Sequence, residues 1–193
     1  SKNFYLPPFL TMPEIISTTQ ILESKLFTVC RTTISENDIT YQRDIILHNG
    51  SAVIVPVFAD KTVALVKQYR HAAQKYLHEL PAGSLEIGET PQECALREIQ
   101  EEIGYKAEKI ELLTEFYVSP GFLNEKMFVF LATELTEVGQ NLDEDEFIEI
   151  KRFSFPEIYQ MISHREFEDA KTMLSLILAG IKLGFPFETA TFA

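Results

Sequence analysis

The run Arg97-Glu98-Ile99-Gln100-Glu101-Glu102 packs three carboxylates and a guanidinium into six residues. On a helix Glu98 and Glu102, four apart, share one face, and Glu101 lies three from Glu98. Like charges at this spacing cost roughly 0.2–0.5 kcal/mol per pair on an exposed helix. A bound Mg²⁺ reverses that sign, because it prefers carboxylate oxygens, retained waters and substrate phosphates. A diphosphate bridged by such ions has its charge neutralised and a water activated beside it. Arg97 can pair with Glu101 at i+4, or with Glu89, and so hold a carboxylate in place. Acidic helix faces of arbitrary origin are more often simply solvated, so the wider pattern has to decide.

The elements that must position these groups are legible around them. Thr90-Pro91-Gln92-Glu93 is a helix start: Thr90 caps, Pro91 suits the first helical position and Glu93 completes a capping box. Leu96, Ile99 and Ile103 form one apolar stripe on a different side from the acids. Gly104 stops the helix. Leu26–Ile34 and Ile39–Leu47 are predicted as a hairpin around Ser35–Asp38. Ala52–Phe58 and Thr62–Tyr69 follow as apolar, β-branched strands around the turn Ala59–Lys61. Tyr76–Leu80, Ile110–Tyr117, Met127–Thr133 and Phe147–Phe153 are further strands; Phe155–Ser163 and Glu168–Leu183 are helices. Strands, helix, strands, then helices make a mixed α/β arrangement rather than a βαβ repeat.

The spacing Gly83, five residues, Glu89, seven residues, Arg97-Glu98-Ile99-x-Glu101-Glu102-x-Gly104 resembles the Nudix box of the Nudix hydrolases. Every charged and glycine position of that box is filled; Tyr105 departs from it, where an aliphatic residue is usual. The resemblance implies an α/β (α+β) Nudix fold, with a mixed β-sheet between helices, and hydrolysis of a nucleoside diphosphate derivative by water attack on phosphorus. It implies Glu98, Glu101 and Glu102 as metal ligands, with the backbone carbonyl of Ala82 as another, and Mg²⁺ as the cofactor with Mn²⁺ a substitute.

Outside the box, Pro120 sixteen residues after Gly104, Gln68-Tyr69-Arg70, Glu79-Leu80-Pro81-Ala82-Gly83 and Asp143–Phe147 resemble the ADP-ribose pyrophosphatase subfamily. Arg70 is suited to bidentate phosphate recognition and Glu79 to a substrate hydroxyl. In that subfamily a mobile acidic loop supplies the glutamate that activates water, which implies Glu146 or, failing it, Glu144. The expected reaction is ADP-ribose to AMP and ribose 5-phosphate; UDP-glucose and GDP-mannose are the alternatives. A nucleotide-sensing domain without activity is the rival class, opposed by the complete box and by the lack of a helix-turn-helix pattern.

The resemblance implies residues 1–50 as N-terminal strands that form an extra antiparallel sheet and a homodimer, and 51–193 as the hydrolase domain. Tyr41 and Arg43 then stand ready for the base of the nucleotide. The chain has 193 residues and a net charge of −12, which opposes long polyanions and disfavours nucleic-acid partners such as a capped RNA. The apolar run Met173–Gly180 is far short of the roughly 20 residues of a membrane span, and no secretory signal is expected. Cys30 and Cys94 have no framework spacing, which suggests a reducing, cytoplasmic setting.

Overall fold

Residues Ala52–Val55 are all fully buried, and that continuous apolar run dictates a strand covered on both faces. The computed structural model describes residues 12–142, 146–185 and 187. Strand β4 (Ser51–Pro56) sends Ala52 and Ile54 to one side of its sheet, into a core with Ala95, Ile99 and Ile103. Val53 and Val55 point to the other side, against Phe155, Ile158 and Leu176. The first layer is helix α1 (Pro91–Ile103); the second is α2 (Phe155–Ser163) with α3 (Ala170–Lys182). A mixed sheet between helices is therefore what the alternation along β4 produces.

Contacts divide the chain into two units, one of Ser1–His48 with Tyr117–Glu125, the other of Asn49–Phe116 with Lys126–Ala193. Within the first, β1 (Glu14–Glu23), β2 (Thr28–Glu36) and β3 (Ile39–Leu47) form an antiparallel sheet in that order. The β2–β3 hairpin turns at Asn37-Asp38, both with positive φ (48° and 62°), a backbone these residue types tolerate. Phe122 and Asn124 bond the main chain of Ile46. The extra antiparallel sheet is present as expected, but the place of β1 was not legible: all ten of its residues are exposed, among them Ile15, Ile16, Ile21 and Leu22, so it shows no inside–outside alternation.

The second unit holds two sheets. One has the order β7 (Ala82–Ser84), β4, β9 (Lys126–Glu137), β8 (Tyr105–Tyr117), with β4 antiparallel to β7 and parallel to β9. The other is antiparallel, in the order β10 (Glu149–Ser154), β5 (Thr62–Arg70), β6 (Lys75–Glu79). The two strands expected around Ala59–Lys61 thus lie in different sheets and share only the bridge Val57–Val63. Long-range partners outcompete the short turn: β4 takes β9 and β7, and β5 takes β6 and β10.

Among the described residues no helix is long and apolar enough to cross a membrane.

Candidate active site

Helix α1 begins as its sequence dictates. The Thr90 hydroxyl accepts from the Glu93 amide, and the Glu93 carboxylate accepts in return from the Thr90 amide. Gly104 closes the helix in the left-handed region at φ 76°, where a Cβ would also lie 2.8 Å from the Gln140 nitrogen. The phase of the helix corrects one expectation. Leu96 is 37% exposed, whereas the inward face carries Cys94, Ala95, Glu98, Ile99, Glu102 and Ile103. The two acids Glu98 and Glu102 are 8% and 3% exposed. They are therefore part of the buried face rather than on a side away from the apolar residues.

Burying carboxylates costs heavily unless they are paired, and the surrounding chain supplies partners. Glu98 lies against the backbone of Gly83: a Cβ there would come 1.7 Å from Glu98 Oε1. The Ala82 amide donates to Glu102 Oε2 at 3.1 Å, which sets Ala82 beside the acid. Arg97 is the hub. It donates from Nε and Nη2 to the two oxygens of Glu89 (2.9 and 3.0 Å), and from Nη1 to Glu98 Oε1 (2.6 Å) and Glu101 Oε2 (2.9 Å). Both pairings expected of Arg97 from spacing are made at once, with Glu98 added.

The charges are unbalanced all the same. Burial pushes the Glu102 carboxyl up to about 8, and the neighbouring charges of Glu98 and Glu146 push the same way. Burial likewise raises Glu98, against the pull of Arg97. Hydrogen bonds from Arg97 hold Glu89 below its ordinary value. Among the described residues no three acidic, histidine or cysteine side chains already converge as a ligand set; Arg97 occupies oxygens of Glu98 and Glu101. The donor set nonetheless suits a hard divalent cation: carboxylate oxygens at a glycine cradle, two of them on buried acids whose ionised form a cation would stabilise.

Arg70 and Glu79 meet face to face. Arg70 donates from Nε and Nη2 to the two Glu79 oxygens, each at 2.7 Å. Glu79 is 1% exposed, and Oε2 also accepts from Lys171, so its oxygens are engaged inside the protein rather than offered to a substrate. The Glu102 charge raises Arg70, a lesser effect than the Glu79 hydrogen bond, which places Arg70 within electrostatic reach of the acidic cluster. Glu146, half-buried, acts on both Glu98 and Glu102. It lines a cavity of about 540 Å³ with Lys67, Tyr76 and Phe147. Glu144 lies outside the described residues.

The second unit thus brings together Ala82, Arg97, Glu98, Glu101 and Glu102, with Arg70 and Glu146 coupled to them by charge. Tyr41, Arg43 and Pro120 belong to the first unit. There the Tyr41 hydroxyl donates to Glu36 at 2.6 Å and the Arg43 guanidinium lies 4.6 Å from the Tyr41 ring centre; Pro120 is exposed. Sequence reasoning missed Lys171. A signal existed: a cation in the first turn of a helix opposes the helix dipole, so its presence there calls for a specific partner.

A model of the NUDIX domain matches residues 48–175. The chain is 41% identical to an ADP-ribose pyrophosphatase of Bacillus subtilis (strain 168), over 70% of this chain and 74% of that protein. It is 37% identical to a methanol dehydrogenase activator of Bacillus methanolicus, over 72% and 77%. A crystal structure of an ADP compounds hydrolase superposes with a TM-score of 0.81 at 24% identity, covering 91% of this chain and 96% of that one, which speaks to the fold. With the model spanning the acidic helix, its glycine cradle and both sheets of the second unit, the chain belongs to the Nudix family.

Proposed function

We propose that the chain hydrolyses the diphosphate bond of ADP-ribose, giving AMP and ribose 5-phosphate. The observation that carries this reading is the buried Glu98–Glu102 pair against Gly83 and Ala82, in a chain 41% identical to an ADP-ribose pyrophosphatase. Nudix hydrolases generally use divalent cations, and the all-oxygen donors here suit Mg²⁺, with Mn²⁺ a substitute. Glu98, Glu101, Glu102 and the Ala82 carbonyl hold the metal, which when bound neutralises phosphate charge and acidifies water. Arg97 fixes the carboxylates. Arg70 binds the diphosphate. Glu146 takes the proton as water adds to phosphorus and the bridging P–O bond breaks. Tyr41 and Arg43 serve the base from a second copy of the chain, and Pro120 fixes its own loop.

In this reading residues 1–50 serve dimerisation and 51–193 the hydrolysis. The exposed isoleucines and leucine of β1 support a second copy as the cover for that strand. The protein acts in the cytoplasm on a small nucleotide. A panel of ADP-ribose, UDP-glucose and GDP-mannose, each with Mg²⁺, Mn²⁺ or EDTA, tests the reading by phosphate release after phosphatase treatment. ADP-ribose turned over fastest, and only with metal, is the expected result. Activity confined to UDP-glucose or GDP-mannose overturns the substrate; tight ADP-ribose binding without turnover overturns the enzyme.

A further inference from the structure

Helix α3 starts at Asp169, whose carboxylate accepts from the Thr172 amide as an N-cap. Two residues on, Lys171 sits where the helix dipole disfavours a cation. Its ammonium is nearly buried and donates both to Asp169 Oδ2, at 2.9 Å, and to Glu79 Oε2. The same turn is anchored again through Thr172, whose hydroxyl accepts from the buried Leu80 amide at 2.8 Å. Leu80 leads directly into Ala82-Gly83, so the start of α3 grips the strand end that carries the acidic cradle.

Glu79 therefore serves two cations at once. Arg70 uses Nε and Nη2 on it, and among the described residues Nη1 of Arg70 takes no partner. The Arg70 side chain is 42% exposed, against 1% for Glu79. That geometry fixes the guanidinium plane from behind and leaves one edge open. Lys171, itself balanced by Asp169, pins Glu79 Oε2 in place, so the carboxylate that orients Arg70 cannot swing away from it.

We propose that Lys171 is a positioning residue for phosphate recognition: through Glu79 it locks Arg70 in its bidentate pose, with Nη1 turned towards the diphosphate. The inference rests on the assignment of Arg70 to the diphosphate in the reading above. It predicts that α3, far from the acidic segment in sequence, sets substrate affinity without touching substrate.

The test compares Lys171→Met, Lys171→Arg and Arg70→Lys in the full chain. The first readout is the Arg70 Nε–H signal by ¹⁵N NMR, assigned by its loss in Arg70→Lys. It should be protected from exchange in the wild type and in Lys171→Arg, and lose that protection in Lys171→Met. The second is kinetic: KM for ADP-ribose should rise about tenfold in Lys171→Met, the scale of one charge-assisted hydrogen bond, with kcat little changed. Adding Lys171→Met to Arg70→Lys should cost little more than Arg70→Lys alone. An unaltered Arg70 signal, or fully additive losses, overturns the proposal. Because the NMR readout needs no turnover, a wild type inert on ADP-ribose would overturn the substrate reading and leave this one to be decided. Should Lys171→Met fail to fold, Lys171→Gln, which keeps a donor and drops the charge, carries the same readouts.

Discussion

Gly83 and Glu98 are in such close register that a single added methyl at residue 83 would lie 1.7 Å from Glu98 Oε1 and 2.1 Å from its carboxyl carbon. The glycine is needed for space, since φ at this position is not in the left-handed region. Gly83→Ala must push the Glu98 carboxylate aside, because the helix behind it is held by Ile99 and Ile103. Displacement of about 1 Å at a reacting centre costs on the order of a hundredfold in rate. We expect kcat to fall by about that factor, with a raised Mg²⁺ requirement and a cooperative thermal transition retained. Near-normal turnover in Gly83→Ala would show that the Glu98 position is not critical.

The raised Glu102 carboxyl gives the metal-free protein an unusual pH response. A folded-state value of about 8, against about 4.5 when unfolded, means the native state holds a proton that the unfolded chain has lost. Stability then falls as pH rises between those values. In EDTA the Tm should drop from pH 5 to pH 8, and added Mg²⁺ should restore it most at the alkaline end. Glu102→Gln should flatten the slope while cutting turnover by orders of magnitude. A Tm in EDTA that is level or rising over this interval would contradict the assignment.

Much of this site was legible because local rules dominate it. Thr90, Pro91, Glu93 and Gly104 fix both ends of α1, and the i, i+4 spacing puts Glu98 and Glu102 on one face. The phase of that face was not legible. Leu96, Ile99 and Ile103 satisfy a helical stripe on paper, yet the actual buried face is centred on Ala95, Glu98, Glu102 and Ile99, because the glycine cradle and the Ala82 amide repay the burial of two acids. Strand pairing was equally hidden: β4 joins β9 in parallel across more than 70 residues, and no local turn signals that.

The corrected phase makes its own prediction. Leu96→Lys should change stability by less than about 0.5 kcal/mol, since a surface position away from special features tolerates change. Ile99→Ala, at a fully buried position, should cost about 2–5 kcal/mol. Urea unfolding of both variants measures the contrast. A large loss for Leu96→Lys would mean that Leu96, rather than Glu98 and Glu102, faces the core.

Strand β1 carries the last expectation. Its ladder to β2 is interrupted by two register shifts, between Ile15 and Ser17 and between Gln20 and Leu22. Ile15, Ile16, Ile21 and Leu22 are each about half exposed or more. A three-stranded sheet with apolar groups open to water is marginal by itself and invites association. A second copy is the occupant that puts the same apolar strand on both sides of a symmetric contact. Sedimentation should therefore find a dimer. Ile16→Asp with Leu22→Asp should shift it towards monomer, with loss of ADP-ribose affinity if the partner strand completes the nucleotide site. A wild type that stays monomeric at high micromolar concentration would rule this association out.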